Sequence, residues 1–278
     1  MPELPEVETV RRGIESFCLG RVISSVGVAA PKLLKPPITN EEEFASLLVG
    51  KRIHNVRRRG KHLILGLDNG YALLAHLKMR GSFRFVEKPS IPDDPYLGVR
   101  FSFDDGSELR YHDSWGWGEF RLLRDLPADI FDAVPALAGM GIEPFDEGFT
   151  EEALRKAASR RVRTSIKAYL LDQSAVAGVG NIYADEALFK AGIRPDRVVG
   201  DLESDEWHRL RDALVAVLTE ATEGGGTISD NFVNPAGSPG AYVPRVYGRG
   251  GMPCVDCGTP LTRVKITGRG TVYCPKCQ

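Results

Sequence analysis

The chain has 278 residues, of which 42% are hydrophobic and 26% charged, and its formal net charge is −1. These proportions allow a packed core and leave room for two domains of ordinary size. No stretch approaches the roughly 18–20 apolar residues that cross a membrane, and no charged-then-apolar leader precedes the first predicted helix. The sequence therefore predicts a cytoplasmic protein without a membrane partner.

The positive charges are concentrated in three segments, although the net charge by itself argues against a polyanionic partner. Residues 51–62 and 155–167 are rich in Lys and Arg and contain no acid, and residues 249–278 contain Asp256 as their one acid. Any one segment could be a solvated face. Together they favour nucleic acid, because phosphate binding depends on the local field and not on the total charge.

Apolar periodicity predicts a helix near the N-terminus, followed by strands. Residues 5–17 carry apolar side chains at helical spacing, with Pro5 in the first turn and Gly20 after the end. From residue 21 to about residue 123, short apolar runs are separated by turn signals such as Asp104-Asp105-Gly106. This pattern indicates an antiparallel β-sandwich or barrel.

The second half of the chain is predicted to be helical. A Pro- and Gly-rich stretch over residues 126–149 indicates a domain boundary, and Thr150 has the residue type of a helix N-cap. Helical periodicity continues to about residue 222, and residues 224–244 form a long loop of a kind that often covers a binding site. The predicted fold is α+β and multidomain, with an N-terminal helix and antiparallel β-sandwich in residues 1–132, a helical domain in residues 133–244, and a small unit in residues 245–278.

Two Cys-x-x-Cys pairs mark the small C-terminal unit. Cys254 and Cys257 are followed, after sixteen residues, by Cys274 and Cys277, a spacing typical of a four-cysteine zinc site. Two disulfides are the rival interpretation, but a chain without a signal peptide stays in a reducing compartment. Four thiolates leave no open coordination position, so we predict one structural Zn²⁺ in place of a hydrophobic core. Cys18 is predicted to be a small buried residue.

The residues between the cysteine pairs are predicted to form a hairpin that turns at Gly268-Arg269-Gly270. The two glycines would let the backbone approach a ligand closely, and a guanidinium group binds phosphate in a bidentate manner. Arg269 is therefore a candidate DNA contact, although an arginine in any surface turn would look the same.

Several motifs, in the same order along the chain, resemble the formamidopyrimidine-DNA glycosylase (Fpg, or MutM) family. The acidic start alone would be an ordinary helix N-terminus, and each motif alone is only moderately specific. The motifs are Met1-Pro2-Glu3-Leu4-Pro5-Glu6-Val7-Glu8-Thr9-Val10, Arg57-Arg58-Arg59-Gly60-Lys61, His76-Leu77-x-Met79, Leu171-Asp172-Gln173, Val176-Ala177-Gly178-Val179-Gly180-Asn181-Ile182-Tyr183-Ala184-Asp185-Glu186, and Val246-Tyr247-Gly248-Arg249 with the cysteine unit.

The resemblance implies a bifunctional glycosylase and lyase that excises oxidised purines from damaged double-stranded DNA in base excision repair, acting as a monomer. After removal of Met1, Pro2 would attack the sugar carbon that bears the damaged base, and β- and δ-eliminations would cut the strand. Glu3 would be the general acid–base partner, and Glu6 its supporting hydrogen-bond acceptor.

The resemblance also implies DNA contacts. Lys61 would hold the phosphates at the lesion, and Lys167 would lie near the damaged base. Asn181 lies in the turn of the family's helix–two-turns–helix motif, where the chain would bind phosphate at a helix N-terminus. The 224–244 loop would cover the extruded purine.

The residues expected to fill the gap left by the flipped base depart from the family pattern. Met79 matches the first of them. The family motif His-Asp-Pro-Arg-Arg-Phe-Gly, however, is here His112-Asp113-Ser114-Trp115-Gly116-Trp117-Gly118. Trp117 can replace the phenylalanine as a flat side chain that fills the gap. Trp115 replaces the arginine that reads the partner base, and an indole offers one N–H donor where a guanidinium offers adjacent donors in one plane. This wedge loop predicts relaxed discrimination for the opposite base, or a shifted substrate range.

Two alternatives remain open on the sequence. An endonuclease VIII-like glycosylase for oxidised pyrimidines would fit the altered wedge. A lesion- or nick-binding zinc protein without catalysis would fit the basic segments, but it gives no reason for Pro2, Glu3 and Lys61 to occur together.

Overall fold

The computed structural model describes residues 1–88, 95–124, 131, 134–228 and 232–278. It divides into two compact units, residues 1–138 with 225–241 and residues 139–224 with 242–278. Most of the loop that the sequence groups with the helical domain is therefore part of the first unit. Parts of that loop and of the predicted boundary near residue 126 lie outside the described residues, and the division into three domains stays a prediction.

The described part of the first unit has eight strands in two antiparallel four-stranded sheets, in the orders β1-β6-β7-β5 and β2-β3-β4-β8. This confirms the predicted sandwich. The strands are β1 (Ile23–Val28), β2 (Ile53–Arg59), β3 (His62–Leu67), β4 (Tyr71–His76), β5 (Gly81–Val86), β6 (Leu97–Phe103), β7 (Glu108–Asp113) and β8 (Glu119–Leu123).

The predicted N-terminal helix is confirmed as α1 (Leu4–Cys18), which buries Val7, Val10 and Ile14 against the residues between the sheets. Cys18 is part of the same core, as predicted. Within the described residues of this unit there are three further short helices, which the sequence analysis did not predict. They are a 3-10 turn at Pro31–Leu33, α2 (Glu41–Leu48) and α3 (Pro135–Ala138).

The second unit confirms the predicted helices. Side-chain caps begin α4 and α5, where the hydroxyls of Thr150 and Ser165 accept hydrogen bonds from backbone amides. Gly192 ends α6 with a φ of +67°, a conformation that glycine adopts readily. The helices are α4 (Glu151–Ala158), α5 (Ile166–Leu171), α6 (Asn181–Ala191) and α7 (Ser204–Glu223), with a 3-10 turn at Val199–Asp201.

The C-terminal hairpin consists of β9 (Thr262–Ile266) and β10 (Arg269–Tyr273). Its turn is at Thr267 and Gly268, which have φ values of +46° and +76°. The predicted turn at Gly268-Arg269-Gly270 is therefore wrong by one residue. Two consecutive residues of positive φ match the twist of a two-residue hairpin, so Arg269 pairs with Ile266 as the first residue of β10.

No helix in the described ranges is long and apolar enough to cross a membrane.

Candidate active site and nucleic-acid interface

The N-terminal residues are buried at the start of α1. Pro2 and Glu3 are buried, while Met1 is 47% exposed. The Glu6 carboxylate accepts a hydrogen bond from the Glu3 backbone N–H at 2.9 Å, which satisfies one of the free donors at a helix start. The acidic start of α1 thus has a local structural role, because the Glu6 carboxylate holds the Glu3 backbone in place next to Pro2.

Glu6 connects this terminus to the long loop of the first unit. Its second carboxylate oxygen accepts the Thr227 N–H at 2.8 Å. The preceding Gly226 has a φ of +99°, and a Cβ there would lie 3.1 Å from the Glu6 side chain. One buried carboxylate therefore fixes both the catalytic candidate and the start of the loop.

Lys61 lies in the tight turn between β2 and β3, where Gly60 has a φ of +54°. The Lys61 side chain is 93% buried, an unusual environment for a lysine in a hairpin turn. Its charge acts on the N-terminal amine, as the pKa of that amine shows.

The pKa of the Met1 ammonium is lowered below its ordinary value, primarily by burial. The carboxylates of Glu3 and Glu6 oppose this shift, whereas Lys61 and Arg80 add to it. The position at the chain start therefore favours a neutral amine, the form that can act as a nucleophile.

Met79 is held at a turn between the two sheets. Its neighbour Lys78 has a φ of +53°, donates its backbone N–H to His76 Nδ1 at 2.9 Å, and pairs through Nζ with Glu119 at 2.9 Å. Gly81 N–H donates to the Leu77 carbonyl. These bonds fix a turn whose tip leaves Met79 37% exposed.

The loop between β7 and β8 exposes two indoles. Trp115 is 42% and Trp117 58% exposed, with ring centroids 4.8 Å apart. The Asp113 carboxylate accepts the backbone N–H groups of Trp115, Trp117 and Gly118 at 3.0, 2.9 and 2.7 Å. The tryptophans are therefore not core residues of a strand; they project from a loop that a carboxylate holds rigid.

In the second unit, Asn181 is the first residue of α6, next to the glycine turn. Gln173 holds this turn by accepting the Gly178 N–H at 3.0 Å and donating to the Val179 carbonyl at 2.8 Å. Asn181 donates to the Gly270 carbonyl of the hairpin at 2.9 Å. A cavity of about 320 Å³ opens here, lined by Asn181, Asp185, Tyr247, Gly248, Gly250, Arg263, Gly270 and Val272.

Lys167 is completely buried within the second unit. Its Nζ donates to Asp185 at 2.6 Å, to the Thr271 hydroxyl at 2.8 Å and to the Gly270 carbonyl at 3.1 Å. Burial raises the pKa of Asp185 to about 6, although the ion pair with Lys167 opposes that shift. These contacts join α5, α6 and β10, so the ammonium group faces protein on every side.

The sulfur atoms of Cys254, Cys257, Cys274 and Cys277 lie within 4.8 Å of one another. Two of the separations are 3.9 Å and 3.5 Å. Four sulfurs at about 2.3 Å from one zinc ion would be about 3.8 Å apart, so the four side chains fit a tetrahedral Zn²⁺. Cys254 and Cys274 also pack with Phe189 of α6, which attaches the zinc unit to the helices.

The first unit thus contains Pro2, Glu3, Glu6, Lys61, Met79, Trp115 and Trp117, and the second contains Lys167, Asn181, Arg269 and the cysteines. Sequence reasoning missed three residues that shape these sites. Asp113 and Gln173 act through hydrogen bonds to backbone groups of their loops, and Arg80 lies against Trp115. Asp113 and Gln173 lie within motifs that the sequence analysis quoted, so membership of a motif could have indicated them. Arg80 lies outside every quoted motif, and nothing in the sequence indicated it.

Comparison with known proteins covers the whole chain. Residues 1–120 match the formamidopyrimidine-DNA glycosylase N-terminal domain, residues 140–232 its H2TH domain, and residues 251–278 a zinc finger found in FPG and IleRS. Formamidopyrimidine-DNA glycosylases from Shouchella clausii and Geobacillus kaustophilus are 43% and 42% identical over 280 aligned positions, which cover 100% of this chain and 99% and 100% of theirs.

Solved structures of the same family are similar along the entire chain. The MutM (Fpg) protein of Thermus thermophilus is 38% identical with a TM-score of 0.85, over 100% of this chain and 98% of that one. The Lactococcus lactis Fpg in complex with DNA containing an abasic site is 34% identical with a TM-score of 0.87, over 99% of both chains. The chain belongs to the formamidopyrimidine-DNA glycosylase family.

Proposed function

We propose that the protein is a bifunctional DNA glycosylase and abasic-site lyase that removes oxidised purines, formamidopyrimidines and 8-oxoguanine, during base excision repair. The observation that carries the proposal is the buried Pro2 beside Glu3, at a chain start where burial, Lys61 and Arg80 lower the pKa of the Met1 amine. Relatives named for formamidopyrimidine excision, and similar structures bound to DNA containing an abasic site or a carbocyclic 8-oxo-G, support the substrate class.

The chemistry begins with loss of Met1, which converts the Pro2 nitrogen from a tertiary amide into a secondary amine. That nitrogen forms a bond to the sugar carbon C1′ while the bond from C1′ to the damaged base breaks. The nitrogen gives up its proton, and the bond between C1′ and the ring oxygen then breaks as the sugar opens. The resulting iminium is cationic without an added proton, so it draws electrons from the neighbouring carbon. Loss of a proton there expels the 3′ phosphate, and a second elimination expels the 5′ phosphate.

Glu3 is proposed as the general acid–base group. Its carboxyl group protonates the sugar oxygen as the ring opens and then accepts protons during elimination. Glu6 supports this role indirectly, because its hydrogen bond to the Glu3 backbone orders the terminus. Its second bond, to Thr227, supports a part for the 225–241 segment in enclosing the extruded base.

Phosphate groups are proposed to bind at cationic and amide groups in both units. Lys61 would hold the phosphates beside the lesion. In the second unit, Asn181, Arg269 and the start of α6 would bind the backbone, and Arg263 in the 320 Å³ cavity supports an anion site there. Lys167 is buried, so we propose that it acts on DNA only by positioning the hairpin that carries Arg269.

Met79, Trp115 and Trp117 are proposed to enter the duplex and fill the space of the flipped nucleotide. Their exposure on two rigid turns supports this role, because apolar side chains that unstack bases must be available before binding. One Zn²⁺ held by the four cysteines would stabilise the hairpin and take no part in the chemistry. Four cysteines that bind metal and form no disulfide suit a reducing cytoplasm, and a DNA substrate supports an association with the nucleoid.

The test is cleavage and borohydride trapping on four duplexes that carry 8-oxoguanine, a formamidopyrimidine, an oxidised pyrimidine or an abasic site. We expect excision of both purine lesions, strand cleavage on both sides, and a covalent adduct after reduction. Glu3→Gln should lower excision by about 100- to 10,000-fold, the usual contribution of a general acid. Glu15→Gln, at an exposed position on α1, is the matched control.

The remaining outcomes distinguish the alternatives. Excision of the oxidised pyrimidine alone would replace the proposal with an endonuclease VIII-like activity. Tight binding to all four duplexes without an adduct or a nick would leave a non-catalytic lesion-binding protein.

A further inference from the structure

Arg80 follows Met79 directly, and its guanidinium carbon lies 5.2 Å from the centre of the exposed Trp115 ring. We propose that Arg80 recognises the base left opposite the flipped nucleotide and gives this enzyme a preference for cytosine at that position. This proposal rests on the proposed function, since it assumes that the duplex is opened at Met79, Trp115 and Trp117.

Both turns that meet at Arg80 are fixed before any DNA binds. On one side, Lys78 is held by His76 and Glu119, which leaves little freedom to the residues that follow it. On the other, Asp113 holds the indole-bearing loop through three backbone N–H groups. The guanidinium therefore stacks on a ring whose position is itself determined by the fold.

The hydrogen-bond donors of Arg80 remain available. In the described residues, no carboxylate pairs with Arg80 and no carbonyl accepts from it; its recorded partner is the face of Trp115. A guanidinium that stacks on an aromatic ring keeps its planar edge of N–H groups directed outward. Arg80 also contributes to the lowered pKa of the Met1 ammonium, so its charge acts at the chain start, next to Pro2.

The adjacent N–H donors of the Arg80 guanidinium can discriminate among the four bases. Arginine presents adjacent donors and no acceptor. The unpaired edge of cytosine offers two adjacent acceptors, O2 and N3, whereas thymine, guanine and adenine each place a donor next to an acceptor. On the Watson–Crick edge, two adjacent donors of a guanidinium would therefore make two good hydrogen bonds with cytosine and one with each of the other bases.

This inference replaces the sequence-based expectation of relaxed discrimination. That expectation follows from the arginine lost at Trp115, because an indole has one donor. The structure puts another guanidinium onto that indole, supplied by the turn that carries Met79. Trp115 then serves as the surface on which Arg80 is oriented.

The test is single-turnover excision of 8-oxoguanine paired with cytosine, thymine, guanine or adenine, at one salt concentration. We expect the wild-type enzyme to prefer cytosine by between about five- and 150-fold, the range for one bidentate base contact. Arg80→Gln should reduce this preference to less than about threefold. Arg12→Gln, which removes an exposed arginine of the same unit outside the three basic segments, should leave the preference unchanged.

A double variant separates recognition from general loss of charge. The double variant Arg80→Gln, Trp115→Arg places a guanidinium on the loop between β7 and β8 instead. It should restore a preference for cytosine. Equal rates against all four bases in the wild-type enzyme would overturn the proposal and support relaxed discrimination. A preference for cytosine that survives in Arg80→Gln would also overturn it. Absence of a borohydride adduct with wild-type enzyme would instead reject the proposed function.

Discussion

Two buried lysines, one in each unit, differ in what their ammonium groups can reach. Lys61, in the turn after β2, contributes to the lowered pKa of the N-terminal amine. Lys167, in α5, gives its three N–H donors to Asp185, Gly270 and Thr271. Both resemble functional lysines in the sequence. The three hydrogen bonds of Lys167 give it a role in holding the second unit together, whereas the charge of Lys61 acts on the N-terminal amine.

The comparison extends to the surroundings of each lysine. In the first unit, candidate DNA-contacting residues are placed by carboxylates that accept backbone N–H groups, Glu6 at the terminus and Asp113 at the tryptophans. In the second unit, the hairpin is held by an ion pair and by four cysteines around a metal site. The first arrangement orders short loops, whereas the second attaches a small unit that has little core of its own.

Removal of zinc should have the largest effect and should be confined to the second unit. Structural zinc contributes on the order of 10–16 kcal/mol in small zinc-finger peptides, so chelation should unfold β9 and β10 and release Arg269. Hydrogen exchange should show lost protection in residues 254–278 and retained protection in α1, with DNA affinity at least tenfold weaker. Metal analysis should give one zinc per chain.

Cys18→Ala is the matched control, because Cys18 is a buried cysteine of the first unit and is not one of the four cysteines of the metal site. It should keep one zinc per chain. Unchanged exchange of the hairpin after complete zinc removal would contradict a structural role for the metal.

Substitution of the two lysines should separate stability from activity. Lys167→Met leaves Asp185 buried without its cation and should cost about 3–5 kcal/mol of folding free energy. Lys61→Met should abolish most lesion cleavage, because it removes the cation that we propose holds the phosphates beside the lesion. Urea denaturation and single-turnover cleavage of both variants measure the two effects.

A Lys167→Met variant as stable as the wild type, or a Lys61→Met variant that still cleaves the lesion at the wild-type rate, would contradict this assignment. A Lys167→Met, Asp185→Leu double variant sharpens the test. Its stability should recover relative to the single variant, because the unpaired charge is removed as well.

Lowering the pH should reduce the free energy of unfolding by a smaller amount, through two histidines of the first unit. Burial lowers the pKa of His62 to about 4 and that of His76 to about 3, helped by Lys78 and, for His76, by His62. The folded protein keeps both rings neutral, whereas the unfolded chain binds protons below about pH 6.5. The stabilisation is therefore complete above that pH and is lost as the pH falls.

Between pH 7 and pH 5 we expect a loss on the order of 1–2 kcal/mol for each histidine. Urea denaturation of the His62→Gln, His76→Gln variant should show a shallower pH dependence than that of the wild-type protein. His208→Gln, at an exposed position on α7, is the control and should behave like the wild type. Equal slopes in all three proteins would contradict the account.

Local signals account for what the sequence predicted correctly. Apolar periodicity located α1 and the helices of the second unit, and cysteine spacing located the metal site. The signal for strand β2 is weaker, because Arg57, Arg58 and Arg59 make it read as a basic surface run, although Val56 is buried. The hairpin turn was misplaced because Gly270 suggested a turn as strongly as Gly268 did.

The missing parts of the site depend on contacts between distant segments. Nothing near Arg80 in sequence indicates that it stacks on Trp115, since the two belong to turns that leave different sheets. Likewise, the bond between Glu6 and Thr227 spans most of the chain. The roles assigned to Pro2, Glu3 and the other site residues stay predictions until they are measured.

The most direct test of the central claim is to identify the atom that forms the covalent bond with DNA. Protein whose chain starts at Pro2 is reduced with borohydride on a duplex containing an abasic site, digested, and analysed by mass spectrometry, in parallel with protein that retains Met1. The account predicts that the sugar is attached to the Pro2 nitrogen, and that the protein with Met1 forms no adduct. An adduct on Lys61, or equal adducts from both proteins, would contradict it.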